Sequence, residues 1–187
     1  MSREALFAAL RQICGSDALA LDAAALEQAR HDVHESGGAP IAVLSPPDSA
    51  ALGGAVAAIT GHGVAVVPRG GGLSYTGGYV LPEGGAVLID LSRMNRVVAI
   101  DADSMTVTVE AGATWKAIDQ ALAQRGLRLP FFGTFSGAGA TVGGGLSHGA
   151  LFFGSARHGS AADIVLSMDV VLADGRVMRT GQGALKA

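Results

Sequence analysis

The sequence predicts an α+β protein of two lobes, a small parallel βαβ lobe followed by a mainly antiparallel lobe with helices. Three observations favour this fold. Two short apolar runs flank a helical segment in the first half, valine and threonine alternate in "TVTVE", and a turn at Ala173-Asp174-Gly175 separates two further apolar runs. We expect the lobes to occupy residues 38–95 and 96–181, with residues 1–37 as a helical appendage before them.

Amphipathic patterns predict two N-terminal helices. Residues 2–13 place Leu6 and Leu10 on one face, and residues 22–30 begin at Asp22, which is a favoured N-cap residue. The polar stretch "HDVHESGGAP" then connects these helices to the first lobe.

A strand, a helix and a second strand with short connections predict the parallel lobe. "IAVLSP" forms the first strand, Asp48 caps the helix "SAALGGAVAAIT", and "VAVVP" forms the second strand. Such a unit has a right-handed crossover, so the loop after Val67 lies at the C-terminal edge of the sheet. Ligands of α/β folds bind at that edge.

The second half has a different pattern of predicted elements. "GAVLIDLS", "NRVVAID" and "MTVTVEAG" are predicted strands, followed by the helix "TWKAIDQALAQRG", which Thr114 caps and Gly126 closes. The period of two in "TVTVE" indicates a strand with one buried face, which is typical of an antiparallel sheet.

Composition and charge exclude several classes of protein. The net charge is -3, and the 13 lysines and arginines form no basic stripe, so we expect no nucleic-acid partner. The single cysteine, Cys14, excludes an internal disulfide, and the five histidines lack a metal-ligand spacing, so we expect no metal. No apolar run is long enough for a transmembrane segment, and the N-terminus is not a secretory signal. We therefore expect a cytoplasmic protein.

Glycine is over-represented, with 28 of 187 residues, and it clusters in two places. The first, "PRGGGLSYTGG", lacks both the P-loop lysine and the G-x-G-x-x-G spacing. Its amides could still converge on an anion, because no Cβ obstructs the approach. A chain of tight turns explains a triple glycine equally well. The second cluster, "GTFSGAGATVGGGLSHG", shifts the balance toward one long ligand with a diphosphate.

The ordered motifs carry a family resemblance. "VVPRGGGLSYTGG", "GAVLIDLSRMNRVVAID", "TVTVEAG", "ATVGGGLSHG" and "DIVLSMDVVLADGRV" resemble the PCMH-type FAD-binding domain of the vanillyl-alcohol oxidase and p-cresol methylhydroxylase flavoproteins. Glycolate oxidase subunits and D-lactate dehydrogenases belong to this group. The resemblance implies the FAD-binding part of an oxidoreductase that oxidises a hydroxy acid, alcohol or similar small substrate by hydride transfer to FAD.

The resemblance also implies which residues contact the cofactor, but it names no catalytic base. In that family the diphosphate lies against the first glycine loop, the second motif follows the flavin and the sugar-phosphate chain, and main-chain groups of a later strand meet the far end of FAD. The matching residues are Arg69, Gly70, Gly71, Gly72, Leu73, Ser74 and Gly78; Gly137, Ala140, Thr141, Gly143, Gly144, Ser147 and His148; and Ile164 and Val165.

Leu73 is a departure from part of the family. Some members tether FAD covalently through a histidine just after the triple glycine, whereas this chain has Leu73 there. Leucine has no nucleophilic atom, so we predict non-covalent FAD.

The family has a substrate domain after the cofactor domain, but this chain ends at "TGQGALKA". We expect residues 182–187 to be a truncated tail and the substrate domain to be absent. Three alternatives stay open: the flavin half of an oxidoreductase, a non-catalytic FAD-binding module, and a glycine-rich domain for a different nucleotide. Apolar surface left uncovered by the absent domain favours self-association or a partner subunit.

Overall fold

The structure is a computed structural model that describes residues 2–130 and 135–181. The described residues form two compact units. The first lies within Met1–Arg69, Ser74–Arg93 and Ser167–Ala187, and the second within Gly70–Leu73 and Met94–Leu166. The predicted tail, residues 182–187, lies outside the described residues.

A four-stranded sheet organises the first unit. Its strands are β1 (Leu19–Ala20), β2 (Ala42–Leu44), β3 (Val66–Arg69) and β4 (Val87–Asp90), in the order β1-β2-β4-β3. Strands β2 and β3 are each parallel to β4, as the βαβ pattern predicts, but they are not neighbours. The apolar run of β4 is buried from Val87 to Ile89, which is typical of a central strand.

Three capped helices complete the first unit, namely α1 (Arg3–Cys14), α2 (Ala23–Ala29) and α3 (Ser49–Gly61). The side chains of Asp22 and Asp48 accept the N–H groups of Ala25 and Ala51 at 2.9 and 2.8 Å, which confirms both predicted N-caps. Helix α1 buries Leu6 and Leu10 in the same hydrophobic core as α3 and the sheet. Helix α1 and the residues just after it therefore contribute to this core.

The second unit contains an antiparallel pair, β5 (Val97–Asp101) and β6 (Thr106–Val109), and the helix α4 (Trp115–Ala123). The pair confirms the predicted alternation. Thr114 caps α4 by accepting the N–H of Ala117 at 3.2 Å. Gly126, with φ +68°, lies just after the helix, as its predicted closing residue should. A small core of Ala113, Ile118 and Leu122 lies against the strands.

Short helical turns form the rest of the second unit. The helices are α5 (Val142–Ser147) and α6 (Ser155–His158), and 3-10 turns cover Phe135–Ala138 and Ala161–Ile164. Buried Trp115 stacks edge-on against Phe152, with 5.0 Å between the ring centroids. This contact joins the start of α4 to the residues that follow α5.

A hairpin of β7 (Ser167–Val171) and β8 (Val177–Gly181) ends the described chain. Gly175, with φ +83°, makes the predicted turn. The Thr60 hydroxyl donates to the carbonyl of Ala173 at 2.8 Å, and Val171 packs on the core of the first unit. The hairpin therefore belongs to the first unit, whereas the sequence placed it in the second lobe. The predicted α+β class is confirmed.

Candidate functional site

The triple glycine is bare because the protein itself packs against it. Residues Gly70–Leu73 follow β3 and belong to the second unit. A Cβ on Gly70 would overlap the Thr141 hydroxyl oxygen, and a Cβ on Gly71 would overlap the carbonyl oxygen of Gly139. Gly72 has φ +70°, which favours glycine. These glycines let the loop lie directly on the segment that begins α5.

Leu73 and the backbone amides of Gly71 and Leu73 lie on the exposed side of the contact between the triple glycine and residues 139–141. The Leu73 side chain covers Gly139, since a Cβ there would lie 3.1 Å from Leu73 Cδ1, yet Leu73 remains 41% exposed. Within residues 2–130 and 135–181, no hydrogen bond uses the backbone N–H of Gly71 or Leu73. The described residues therefore supply no acceptor for these two amides, and phosphate oxygens are suitable acceptors for such groups.

The second glycine segment has most of its amides already paired. Buried Thr141 caps α5 by accepting the N–H of Gly144 at 3.2 Å. The N–H groups of Val142 and Gly143 donate to the carbonyls of Ala113 and Ala111, each at 2.8 Å. This segment therefore uses its amides to hold itself against residues 111–113.

Close packing also explains the glycines of this second segment. A Cβ on Gly143 would lie 3.0 Å from the Ala111 carbonyl oxygen, and one on Gly145 would lie 2.9 Å from Trp115 Nε1. Ser147 is exposed, and its hydroxyl donates to the carbonyl of Gly143 at 2.8 Å. His148, the C-cap of α5, is exposed.

Two further residues of this segment were predicted to contact a cofactor. Gly137 lies in a 3-10 turn and is buried. A Cβ added to it would lie 3.8 Å from the Cβ of Trp115. Ala140 is half-buried, and its carbonyl accepts the N–H of Trp115 at 3.2 Å. Both residues are occupied by contacts within the second unit.

Arg69 ends β3 and belongs to the first unit. Its side chain is 18% exposed, Nη1 lies 3.8 Å from the Asp90 carboxylate, and the guanidinium carbon is 5.4 Å from the centre of the Tyr79 ring. Nε is buried without a hydrogen-bond partner among the described residues. A buried N–H without a partner is costly, so this donor is suited to an acceptor from outside the described residues.

The segment Ser74–Gly78 also belongs to the first unit. The Ser74 and Thr76 hydroxyls are 3.2 Å apart. A Cβ on Gly78 would lie 3.7 and 3.8 Å from these two oxygens, which is ordinary contact. Packing among the described residues therefore does not require glycine at position 78, in contrast to position 71.

Sequence reasoning missed two side chains and one backbone amide that hold this segment. The Asp32 carboxylate accepts the N–H of Gly77 at 2.8 Å, the Tyr79 hydroxyl donates to the carbonyl of His31 at 2.9 Å, and the Val33 N–H donates to the carbonyl of Ser74 at 2.9 Å. Asp32 also begins an Asx turn, a pattern that could have marked "DVHE" as more than a connection.

The electrostatics of these two residues follow from their surroundings. Burial raises the pKa of the Tyr79 hydroxyl, so the ring stays neutral beneath Arg69. The backbone N–H of Glu35, assisted by those of His34 and Gly77, lowers the pKa of Asp32 below its ordinary value of 3.8. Asp32 is therefore an anion at neutral pH.

Ile164 and Val165 differ from the prediction in their local structure. The resemblance placed them at a strand, whereas Ile164 ends a 3-10 turn and Val165 is extended, before β7 begins at Ser167. A capping box between Ser160 and Asp163 stabilises this turn, which is why the strand starts later.

No group of three or more histidine, cysteine, aspartate or glutamate side chains in residues 2–130 and 135–181 is arranged to hold a metal ion. Among the same residues, none of the helices has both the length and the apolar character needed to cross a membrane.

Comparison with known proteins gives consistent matches. The model of a family described as "FAD binding domain" matches residues 40–181. A mitochondrial D-lactate dehydrogenase [cytochrome] of Arabidopsis thaliana is 32% identical over 84% of this chain and 27% of its own length. Glycolate oxidase subunit GlcD of Bacillus subtilis is 32% identical over 76% of this chain and 30% of its own length.

A solved structure supports the fold. The crystal structure of p-cresol methylhydroxylase with substrate bound superposes with a TM-score of 0.82 at 24% identity, over 95% of this chain and 35% of that one. The chain thus spans about a third or less of these proteins' lengths. The likeness confirms the predicted two-lobed PCMH-type fold.

Proposed function

Because the chain belongs to the FAD-binding domain family, we propose that it is the FAD-binding part of an oxidoreductase that oxidises a hydroxy acid, alcohol or similar small substrate. FAD is the cofactor of this domain, which confirms the prediction from the ordered motifs. The relatives named for D-lactate and glycolate support a hydroxy acid. Bound FAD would supply the hydride acceptor, and the protein would bind and orient it.

We assign the diphosphate of FAD to the first glycine loop, residues Arg69–Gly78. The single observation that supports this best is that the described residues supply no acceptor for the N–H groups of Gly71 and Leu73, which could donate to phosphate oxygens. Arg69, whose buried Nε has no hydrogen-bond partner among the described residues, carries a positive charge that would offset the negative charge of the diphosphate. Gly78 leaves room for backbone approach. The residues present therefore suit the group.

We assign a supporting role to the second glycine segment. Its amides at Val142, Gly143 and Gly144 are paired within the chain, so it would hold the loop at Gly70 and Gly71 more than it would bind phosphate. Exposed Ser147 and His148 are the members of this segment best placed for contact with the flavin or sugar-phosphate chain. Main-chain groups at Ile164 and Val165 would meet the far end of FAD.

We propose that FAD is held without a covalent bond, because Leu73 offers no nucleophilic atom. Denaturation by acid or heat should then release free FAD into the supernatant. Yellow colour that stays with the precipitated chain would contradict non-covalent binding.

We further propose that the substrate is contacted by a separate domain or partner polypeptide, and that the protein acts in the cytoplasm. The single cysteine, Cys14, supports this location, since it fits a reducing compartment. The resemblance names no general base among these residues.

The test is a visible absorbance spectrum of the purified chain after incubation with FAD and removal of free cofactor. We expect the two flavin bands to co-elute with the protein. ADP should compete for the site, because it carries the diphosphate. A chain that stays colourless and leaves FAD fluorescence unchanged would overturn the proposal.

A further inference from the structure

We propose that residues His31–Glu35, which we call the clamp, position the Ser74–Gly78 half of the first glycine loop for FAD, with Asp32 as the positioning residue. This inference rests on the proposed function, because it assumes that the loop binds the cofactor. The clamp and residues Ser74–Gly78, which we call the half-loop, both belong to the first unit.

The two oxygens of Asp32 have separate tasks. Oδ1 accepts the N–H groups of His34 at 2.7 Å and Glu35 at 2.6 Å, which shapes the clamp. Oδ2 accepts the N–H of Gly77 at 2.8 Å, which lies 45 residues further along the chain. One carboxylate therefore couples the shape of the clamp to the place of the half-loop.

Two more hydrogen bonds tie the clamp to the same stretch. The Val33 N–H donates to the carbonyl of Ser74 at 2.9 Å, and the Tyr79 hydroxyl donates to the carbonyl of His31 at 2.9 Å. The half-loop is thus held at its beginning, near its end and just beyond it. A chain held at three points has few conformations left to lose when a ligand binds.

Gly77 shows how closely the clamp and the half-loop approach. Its φ is +69°, and a Cβ there would lie 2.8 Å from the Glu35 carboxylate. The positive φ favours glycine at this position, whereas the exposed Glu35 side chain could move aside from an added methyl group.

The clamp adds little to the hydrophobic core, which favours positioning over general stability. Val33 is 65% exposed, and His31, His34 and Glu35 are exposed as well. Its backbone hydrogen bonds go to the half-loop, to Tyr79 and to itself, and the His31 side chain adds one exposed hydrogen bond to Glu27 of α2 at 3.1 Å. Loss of one of them should therefore change the loop more than the whole fold.

The charge of Asp32 allows a sharp test, because a carboxylate near a diphosphate repels it. If charge alone mattered, neutralising Asp32 would tighten FAD binding. If positioning matters more, the same change weakens binding, because the half-loop loses its fixed place. The two roles predict opposite signs.

Asp32→Asn separates the two oxygens. The asparagine carbonyl can still accept from His34 and Glu35, but its NH2 group then faces the Gly77 N–H, donor against donor. Asp32→Ser is the second variant. Its hydroxyl oxygen can accept the N–H groups of the turn without placing an NH2 group against the Gly77 N–H. Asp101→Asn is the matched control, because Asp101 accepts the N–H groups of Asp103 and Ser104, both at 3.0 Å, in the same kind of turn.

FAD titrations followed by flavin fluorescence would be run on the full chain, well below each variant's unfolding temperature. We expect Asp32→Asn and Asp32→Ser to bind FAD about 10-fold more weakly and Asp101→Asn to stay within about twofold of wild type. Hydrogen exchange at residues 74–78 of the cofactor-free chain should quicken in the Asp32 variants alone. The ³¹P signals of bound FAD should shift in those variants and stay in place in the control.

Equal or tighter FAD binding by the Asp32 variants would overturn the positioning role while leaving the proposed function intact. No FAD binding by the wild-type chain would overturn the proposed function and this inference together. If Asp32→Asn fails to fold, Asp32→Ser decides. If neither folds while Asp101→Asn does, Asp32 is a folding residue and the inference is wrong.

Discussion

The two halves of the first glycine loop are bare for different reasons. In Gly70–Leu73, side chains are excluded because Thr141 and the Gly139 carbonyl occupy the space. In Ser74–Gly78, the positive φ of Gly77 favours glycine, but a Cβ on Gly78 would meet, among the described residues, only hydroxyl oxygens at van der Waals distance. A glycine-rich loop therefore does not by itself indicate how much backbone a ligand covers.

This difference separates folding from binding. Substitutions in the first half should damage the fold and, through it, FAD binding. Substitutions at the open position of the second half should damage FAD binding and leave the fold intact.

Gly71→Ala should have the largest effect. The added methyl group would overlap a backbone carbonyl oxygen, which cannot move aside as a flexible side chain could. We expect a loss of about 3 kcal/mol in the free energy of unfolding and loss of FAD binding. Urea denaturation measures the first, and flavin fluorescence the second.

Gly61→Ala is the control for this substitution. Gly61 ends α3 and has no atom within 4 Å of an added Cβ. Alanine there should leave stability unchanged or raise it by up to about 1 kcal/mol. Equal stability of the two variants would show that the first half is not held by Gly139.

Thr141→Val should have the next largest effect. Valine keeps the shape of threonine but removes the oxygen that caps α5 and that the Gly70 backbone lies against. We expect a loss of about 1 to 2 kcal/mol, measured by thermal unfolding. Thr141→Ser retains the cap oxygen and should keep FAD affinity near wild type. Weaker FAD binding by the serine variant than by valine would contradict this account.

Gly78→Ala tests the open position. Its methyl group meets only the Ser74 and Thr76 hydroxyls, so stability should change by less than about 0.5 kcal/mol. FAD affinity should fall about 10-fold, because the methyl group would stand where the diphosphate approaches, at a cost of about 1.4 kcal/mol. Unchanged affinity would show that Gly78 does not face the cofactor.

The sequence allowed the class of fold and much of its local structure to be predicted. N-caps at Asp22, Asp48 and Thr114 are local signals, because the capping side-chain oxygen and the backbone N–H that it accepts lie three residues apart. The alternation in β6 and the turn at Gly175 are local too. Periodicity and turn chemistry suffice for such features.

Long-range placement was harder to predict. The insertion of β4 between β2 and β3, and the packing of β7 and β8 with the first unit, depend on pairings between distant segments. The contact between Asp32 and Gly77 is of the same kind, since no pattern within "HDVHESGG" names its partner. Gly71 was predicted as a ligand contact, and only the structure reveals that Gly139 also requires it to be glycine.

Acid provides the subtlest way to distinguish the halves. The contacts of Gly70 and Gly71 involve a hydroxyl and a carbonyl, which do not titrate, whereas the second half is tied to Asp32. The N–H of Glu35, and then those of His34 and Gly77, hold the pKa of Asp32 below 3.8. Its contribution is therefore present above about pH 4 and is lost as the pH falls through the folded-state pKa.

We accordingly expect the hydrogen exchange of residues 74–78, corrected for the intrinsic pH dependence, to quicken relative to residues 70–73 as the pH falls from 6 to 3. Asp101, Asp163 and Asp174 also have lowered pKa values, because N–H and hydroxyl groups of their own turns bind the carboxylates, so acid weakens the whole fold in the same window. The relative exchange of the two halves cancels that shared loss. In Asp32→Asn the ratio should be independent of pH, because the titrating group is gone. A ratio that stays constant in the wild-type chain would mean that both halves open only with the whole domain.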